Sequence, residues 1–110
     1  MPTDTLMDLD LLRRSADAAS RLLKALSNPD RLLLLCQLTQ GEKRVGELEA
    51  LVGISQPTLS QQLGVLRDEG LVSTRRDGKN IHYRIDSPQA LAVLNTLYTQ
   101  FCDPQGKPAS

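Results

Sequence analysis

A change of hydrophobic period near residue 70 constrains the fold of this chain most strongly. Before it, apolar side chains recur every three or four residues, the spacing of helices that bury one face. After it, LVSTRRDGKNIHYRID (residues 71–86) reads as two strands around a tight Asp77-Gly78 turn. Helical spacing returns in SPQALAVLNTLYTQFC, residues 87–102. The sequence therefore predicts a mainly α fold with a small β-hairpin, in the order ααααββα.

Capping and turn residues divide the first part into four helices. The first is predicted over residues 8–26, and Asn28 and Pro29 suit the start of the second, which we expect to run to Gly41. A third helix fits Val45–Val52 without a clear cap, and Ser55 is a good N-cap for a fourth over Gln56–Glu69. The side chains expected to face the core are Leu32, Leu33, Leu34, Leu35 and Leu38 in the second helix, Leu48, Leu51 and Val52 in the third, and Leu59, Leu63 and Leu66 in the fourth.

The length and composition suit one small domain. The chain has 110 residues, 40% of them hydrophobic, and no apolar stretch approaches the roughly 20 residues that span a bilayer. The acidic N-terminus MPTDTLMDLD lacks the basic-then-apolar order of a signal peptide, so we expect a cytoplasmic protein without membrane contact. We expect one folded domain over residues 1–102 and a flexible tail over 103–110, because DPQGKPAS has little apolar surface.

The third and fourth predicted helices form a helix-turn-helix, and the hairpin that follows makes it the winged variant. The fourth helix has a face of uncharged hydrogen-bonding side chains opposite its leucines, which suit the edges of DNA bases. An ordinary solvated helix carries Glu and Lys at such places more often. The candidate DNA-binding residues here are Ser55, Gln56, Thr58, Ser60, Gln61 and Gln62.

The predicted hairpin tip is locally basic, with Arg75, Arg76 and Lys79 around Asp77. Such cations can contact phosphates and fix the register of a protein on DNA. The chain has 13 Lys and Arg against 13 Asp and Glu, so few phosphate contacts and a moderate salt dependence are expected. Two alternatives stay open, since the polar face can be plain surface and some winged helices bind only proteins.

Three segments together resemble the ArsR/SmtB family of bacterial winged-helix repressors over about residues 20–100. They are LKALSNPDRLLLLCQL (23–38), VGELEALVGISQPTLSQQLGVLRDEGLV (45–72) and RRDGKNIHYRI (75–85). The resemblance implies a homodimer through the first and last helices and a repressor that leaves its operator when an inducer binds. It also implies that the Gln56–Gln62 face enters the major groove and that the Arg76–Lys79 tip touches the flanking backbone.

A homodimer also follows from the apolar stripes on the terminal helices, because so short a chain has little core left to cover both. A twofold dimer presents two reading helices about one DNA turn apart and matches an inverted-repeat operator. The residues 1–102 would then serve both DNA binding and dimerisation. The alternative is that the stripes pack on each other within one chain. They comprise Leu9, Leu12, Ala16, Ala19, Leu22, Leu23 and Leu26 in the first helix and Leu91, Leu94, Leu97, Tyr98 and Phe101 in the last.

Metal sensing is disfavoured, and we expect neither a metal nor a cofactor. A transition-metal site needs about three or four soft or imidazole ligands, whereas this chain has two cysteines and one histidine, His82, expected to be structural or near DNA. Metal-sensing relatives carry Cys-x-Cys before the turn or His and acidic residues on the last helix. The matching stretches here, KRVGEL and residues 87–102, have none of these patterns. A metal-responsive repressor stays as an alternative.

Two cysteines remain, Cys36 in the second helix and Cys102 at the end of the last. Each alone can be a small apolar filler, but a cytoplasmic pair is more often catalytic, metal-binding or redox-sensing than a structural disulfide. The pair resembles the dithiol branch of the family, the BigR-, SqrR- and HlyU-like repressors that respond to persulfides and related reactive sulfur. The resemblance implies that both thiols lie close together in one subunit and that linking them, by a disulfide or a polysulfide, releases the operator.

Catalysis is not expected. The chain has no Cys-x-x-Cys motif and no nucleophile with a neighbouring base, so a thiol-redox enzyme is the weaker alternative. No cation stands next to Cys36 in the sequence to lower the pKa of its thiol.

Overall fold

The computed structural model describes residues 8–102 as a layer of helices against one small antiparallel sheet. In chain order the elements are α1 (Leu9–Leu26), α2 (Pro29–Leu38), β1 (Lys43–Arg44), α3 (Val45–Val52), α4 (Gln56–Asp68), β2 (Val72–Asp77), β3 (Asn80–Ile85) and α5 (Pro88–Phe101). The predicted helices and hairpin are confirmed, and β1 is an addition. The expected tail, residues 103–110, lies outside the described residues.

Side-chain caps begin three of the helices. The Asp8 side chain accepts a hydrogen bond from the Leu11 N–H, and Asn28 Oδ1 accepts one from the Arg31 N–H at 3.1 Å. Ser87 Oγ accepts one from the Ala90 N–H, also at 3.1 Å. Each bond satisfies a backbone donor that the helix itself leaves without an acceptor. The sequence locates these starts well because a cap is a local interaction.

The caps of α3 and α4 differ from the expectation. The Arg44 N–H donates to Glu47 Oε1 at 2.9 Å, so the carboxylate in the first turn of α3 provides the cap that was not predicted. Ser55 occupies the N-cap position of α4 as predicted, but its hydroxyl makes no capping bond. Its side chain is exposed instead.

The sheet has three strands in the order β1-β3-β2, all antiparallel. Asp77 pairs with Asn80, so the hairpin turns through Gly78 and Lys79, one residue later than predicted. Gly78 has a φ of 64°, which a glycine adopts without strain at the first central position of a two-residue turn. No sequence pattern predicts β1, because a strand of two basic residues has no periodicity.

The core is built almost wholly from leucine. Completely buried leucines come from four helices, namely Leu34 and Leu35 of α2, Leu48 of α3, Leu59, Leu63 and Leu66 of α4, and Leu94 of α5. Leu33 and Leu51 were expected here but are 48% and 54% exposed. Successive helical residues point about 100° apart, so a run of four leucines cannot turn every side chain towards one core.

Apolar side chains on α1 and α5 remain exposed. Seven of the ten large hydrophobic residues that are exposed within residues 8–102 lie on these two helices: Leu9, Leu11, Leu12, Leu23, Leu91, Tyr98 and Phe101. The alternative in which the two stripes cover each other within one chain is therefore wrong for these side chains. Within residues 8–102 we find no helix with the length and apolar character needed to cross a membrane.

Replacing Leu48 by alanine should destabilise the protein by about 2–5 kcal/mol, because it leaves a cavity in the core. Leu51→Ala on the same helix is the matched control, and its cost should stay below about 1 kcal/mol because that side chain is half exposed. Urea unfolding followed by circular dichroism measures both. Equal costs would contradict the burial of Leu48 relative to Leu51.

Candidate DNA-binding surface and cysteine pair

A left-handed glycine joins α3 to α4. Gly53 ends α3 with a φ of 71°, and its N–H donates to the Glu49 carbonyl oxygen at 3.0 Å. The chain turns through Ile54 and starts α4 at Gln56. The leucine face of α4 is buried, so its opposite face points to solvent. This arrangement is a helix-turn-helix with one helix free to enter a groove.

The six candidate residues at the start of α4 divide into two groups. Ser55, Gln56, Ser60 and Gln61 are exposed, whereas Thr58 and Gln62 are half-buried on the flank of the leucine face. Ser60 Oγ donates to Gln56 Oε1 at 3.0 Å, one turn apart on the helix surface. The four exposed residues therefore present amide and hydroxyl groups that suit base edges. The hydrogen bond between Ser60 and Gln56 already holds two of these side chains in place.

Gln62 has a protein partner. Its Oε1 accepts a hydrogen bond from Arg31 Nη1 at 3.0 Å, which turns the amide towards α2. The Arg31 guanidinium also donates to the carbonyl oxygens of Ala25 and Lys24 at 2.7 and 3.3 Å. No sequence pattern identifies the role of Arg31, because one of its partners lies 31 positions away and the other two are backbone atoms.

The hairpin tip leaves two cations available. Arg75 donates to Glu42 Oε1 at 2.8 Å, so its charge is already paired. Arg76 and Lys79 are exposed, and neither has an acidic side chain within 4.0 Å among residues 8–102. His82 Nε2 lies 3.7 Å from Asp77 Oδ2 across the hairpin. Arg76 and Lys79 are thus the tip residues suited to phosphate contacts.

One cysteine lies in α2 and the other at the end of α5. Cys36 is half-buried in the second half of α2, and Cys102 is exposed directly after α5, where its N–H donates to the Tyr98 carbonyl oxygen at 2.8 Å. Both are free thiols. A groove of about 510 Å³ separates the two helices, and its lining includes Cys36, Leu94, Asn95 and Tyr98. The second and the last helix of one subunit therefore border the same groove.

The two thiols interact electrostatically. Burial raises the pKa of the Cys36 thiol above its usual value, and a negative charge on the neighbouring Cys102 raises it further. The sequence has no cation next to Cys36 that would lower the pKa of its thiol, and the pKa is indeed raised rather than lowered. Cys36 is consequently protonated at neutral pH, while Cys102 is open to solvent.

No metal-binding cluster accompanies the thiols. Over residues 8–102, nowhere do three or more His, Cys, Asp or Glu side chains gather closely enough to hold an ion.

A leucine-packed helix-turn-helix with an exposed amide face, followed by a hairpin with basic residues at its tip, defines a winged-helix DNA-binding regulator. Residues 28–74 match the family described as bacterial regulatory protein, arsR family. The chain belongs to the ArsR family, among its winged-helix repressors of the BigR and HlyU type. The relatives are transcriptional regulators rather than enzymes, in agreement with the sequence expectation.

Solved structures of relatives superpose over most of the chain. The transcriptional repressor BigR from Xylella fastidiosa is 52% identical, with a TM-score of 0.80 over 87% of this chain and 98% of BigR. Reduced HlyU from Vibrio cholerae is 37% identical, with a TM-score of 0.82 over 86% and 99%. The homodimeric winged helix-turn-helix domain Mb0332 from Mycobacterium bovis is 31% identical, with a TM-score of 0.73 over 84% and 86%. These likenesses confirm the winged-helix fold.

Alkylation should distinguish the two thiols. At neutral pH Cys102 should react with iodoacetamide faster than Cys36, because it is exposed and because the raised pKa of Cys36 keeps that thiol protonated. Cys102→Ser removes the neighbouring negative charge, so the pKa of Cys36 should move down and the pH profile of its alkylation should shift to lower pH. Mass spectrometry of the two peptides against pH measures both effects. In urea the pH profiles of alkylation of the two cysteines should converge, because unfolding exposes both thiols. An unchanged Cys36 profile in Cys102→Ser would show that the thiols do not interact.

Proposed function

We propose that this protein is a dimeric repressor that binds an inverted-repeat operator while its cysteines are reduced. It releases the operator when reactive sulfur species link Cys36 to Cys102. The observation that supports the proposal is the position of Cys36 beside the groove between α2 and α5, where the charge of Cys102 at the end of α5 acts on its thiol. No cofactor takes part, and the protein acts in the cytoplasm.

The dimer is supported by the uncovered apolar side chains of α1 and α5. Burying exposed leucine and aromatic surface contributes about 25 cal/mol per Å², so association through these stripes is favourable. The related Mb0332 domain is homodimeric. A twofold axis between the terminal helices sets two copies of α4 about one helical turn of DNA apart, roughly 34 Å.

Operator recognition is supported by the chemistry of α4 and the hairpin tip. Gln56, Ser60 and Gln61 present amide and hydroxyl groups that read base edges in the major groove. Ser55 and Thr58 stand at the start of the same helix. Arg76 and Lys79 contact the flanking phosphates, which fixes register without reading sequence. Gln62 belongs to the predicted reading face, but its bond to Arg31 favours a supporting role.

The switch begins at Cys102, because that thiol is exposed and Cys36 is half-buried. The Cys102 thiolate attacks the outer sulfur of an organic persulfide, R–S–SH, and the thiolate RS⁻ leaves and takes up a proton. The product is a persulfide on Cys102, Cys–S–SH. The Cys36 thiol, once deprotonated, attacks the inner sulfur and expels hydrosulfide, HS⁻. Two cysteine thiols are oxidised by two electrons, and the transferred sulfur is reduced to hydrosulfide.

The length of the link decides which oxidants act. A direct disulfide requires Cα atoms within about 7 Å of each other. Transfer of a second sulfur before closure gives a trisulfide, which spans a greater distance. A pair held too far apart for a disulfide therefore responds to sulfur donors and resists peroxide. Either link ties α2 to α5, so it shifts a dimerisation helix against the core that carries α4. A coupling of about 1–3 kcal/mol is enough for regulation.

Cys36→Ser and Cys102→Ser should bind the operator like the native protein but should not release it on treatment with a persulfide donor. Gel-shift titrations before and after treatment measure this, with Thr99→Ser on α5 as a control that keeps normal release. Mass spectrometry of the two cysteine peptides after polysulfide and after peroxide identifies the link formed. Full release of either cysteine variant by the donor would exclude the switch and leave the DNA-binding assignment intact.

Gln61→Ala should weaken binding to the operator by about 1–3 kcal/mol if this amide reads a base. Binding to unrelated DNA at the same salt concentration should change little, because base contacts do not contribute there. Gln40→Ala, an exposed amide beyond the end of α2, is the control and should bind normally. An unchanged operator affinity would remove Gln61 from the reading face.

A further inference from the structure

One guanidinium fastens three helices together. Arg31, in the first turn of α2, uses Nε and Nη2 for the carbonyl oxygens of Ala25 and Lys24 in the last turn of α1. Its Nη1 donates to Gln62 Oε1 on α4 at 3.0 Å. We call this set of contacts the Arg31 junction. It connects the end of α1 to the helix whose exposed face carries Gln56, Ser60 and Gln61.

The junction depends on arginine chemistry. The last carbonyls of a helix lack donors from a following turn, and a cation there interacts favourably with the helix dipole. The Ala25 carbonyl oxygen accepts the shorter bond from Arg31, whereas the Lys24 carbonyl oxygen also accepts from the Ser27 N–H and hydroxyl at 3.2 and 2.8 Å. A planar guanidinium can serve these carbonyls and a third acceptor at once, because its five N–H groups point in fixed directions. A lysine ammonium has no such fork. Both Arg31 and Gln62 are half-buried, so water competes with these bonds less than at the open surface.

Gln62 is well placed to control the orientation of α4. It follows Gln61 directly, so the two side chains leave the helix about 100° apart. When Gln62 is bonded to Arg31, rotation of α4 about its own axis is restricted. The exposed amides therefore keep one angle towards solvent. The leucines beneath α4 make non-directional contacts, so they fix this angle less strictly than the hydrogen bond does.

We propose that Arg31 and Gln62 are positioning residues for operator recognition: the Arg31–Gln62 hydrogen bond sets the angle at which α4 presents its exposed amides, and Gln62 itself touches no base. The inference rests on the operator binding proposed above. It is independent of the cysteine switch, because every measurement below uses reduced protein without a sulfur donor.

A second polar bridge between α1 and α4 provides a control. Arg21 Nη2 lies 3.1 Å from Glu69 Oε1, just after α4, but the Arg21 side chain is 72% exposed. Exposed ion pairs contribute little, and this one stands far along the helix from the reading residues. Arg21→Met should therefore change operator affinity by less than about threefold.

The test compares Kd for the operator with Kd for unrelated DNA at one salt concentration. Gln62→Met and Arg31→Met should each raise the operator Kd about tenfold, the range expected for a hydrogen bond to a charged group. The Kd for unrelated DNA should stay within about twofold. The double variant should lose no more than the larger single loss, because both substitutions remove the same interaction. Sedimentation and thermal melts establish that each variant is folded and in its native oligomeric state.

Gln62→Glu separates positioning from base reading. A carboxylate accepts the same bond from Arg31, so this variant should keep most of the preference for operator over unrelated DNA. If Gln62 met a base, the carboxylate would abolish that preference as methionine does. The proposal is overturned by a Gln62→Glu loss equal to that of Gln62→Met, by an unchanged preference in Gln62→Met, by additive losses in the double variant, or by an equal loss in Arg21→Met.

Discussion

The structure depends on the packing of one short helix, α2, against nearly everything else. The helices α1, α3 and α4 and the strand β3 all contact it. Leu34, Leu35 and Leu38 fill its inward side. Because the core contains almost no aromatic residue, its cohesion comes from many leucine contacts, each small by itself. A displacement of α2 is therefore felt by the reading helix, the wing and the end of α1 together.

The uncovered stripes on α1 and α5 follow from the size of the chain. A domain of about a hundred residues buries a smaller fraction of its surface than a larger one, so little core is left to cover two terminal helices. Here most of α1 is exposed, and only its C-terminal part reaches the core, through Leu22, Ala25 and Leu26. Association of two copies would add the missing buried area. The same contacts would then stabilise the fold, hold the dimer together and set the distance between the two reading helices.

Local signals carried the sequence prediction, and its errors are non-local. Asn28 and Ser87 cap the helices they were expected to begin, because a cap joins residues three positions apart. The strand β1 was missed because two basic residues become a strand only by pairing with Tyr83 and His82. Leu51 was misplaced because periodicity gives the direction of a side chain but not the width of the surface that covers it. The proximity of the thiols was implied only by resemblance to a family, since nothing in the local sequence joins Cys36 to Cys102.

The same helix that carries Cys36 carries Arg31 five residues earlier, about 7.5 Å along the axis. If the proposed link drew Cys36 towards α5, a helix this short would move as a rigid rod and its first turn would be displaced as well. The Arg31–Gln62 hydrogen bond is 3.0 Å long, and such bonds weaken sharply beyond about 3.5 Å. A displacement of about half an ångström at the first turn would then be sufficient to break this bond and, under the positioning role proposed for Gln62, to free the angle of α4. In that arrangement the cysteine pair need not strain the whole dimer interface, because loss of one directional bond already weakens the presentation of the reading face.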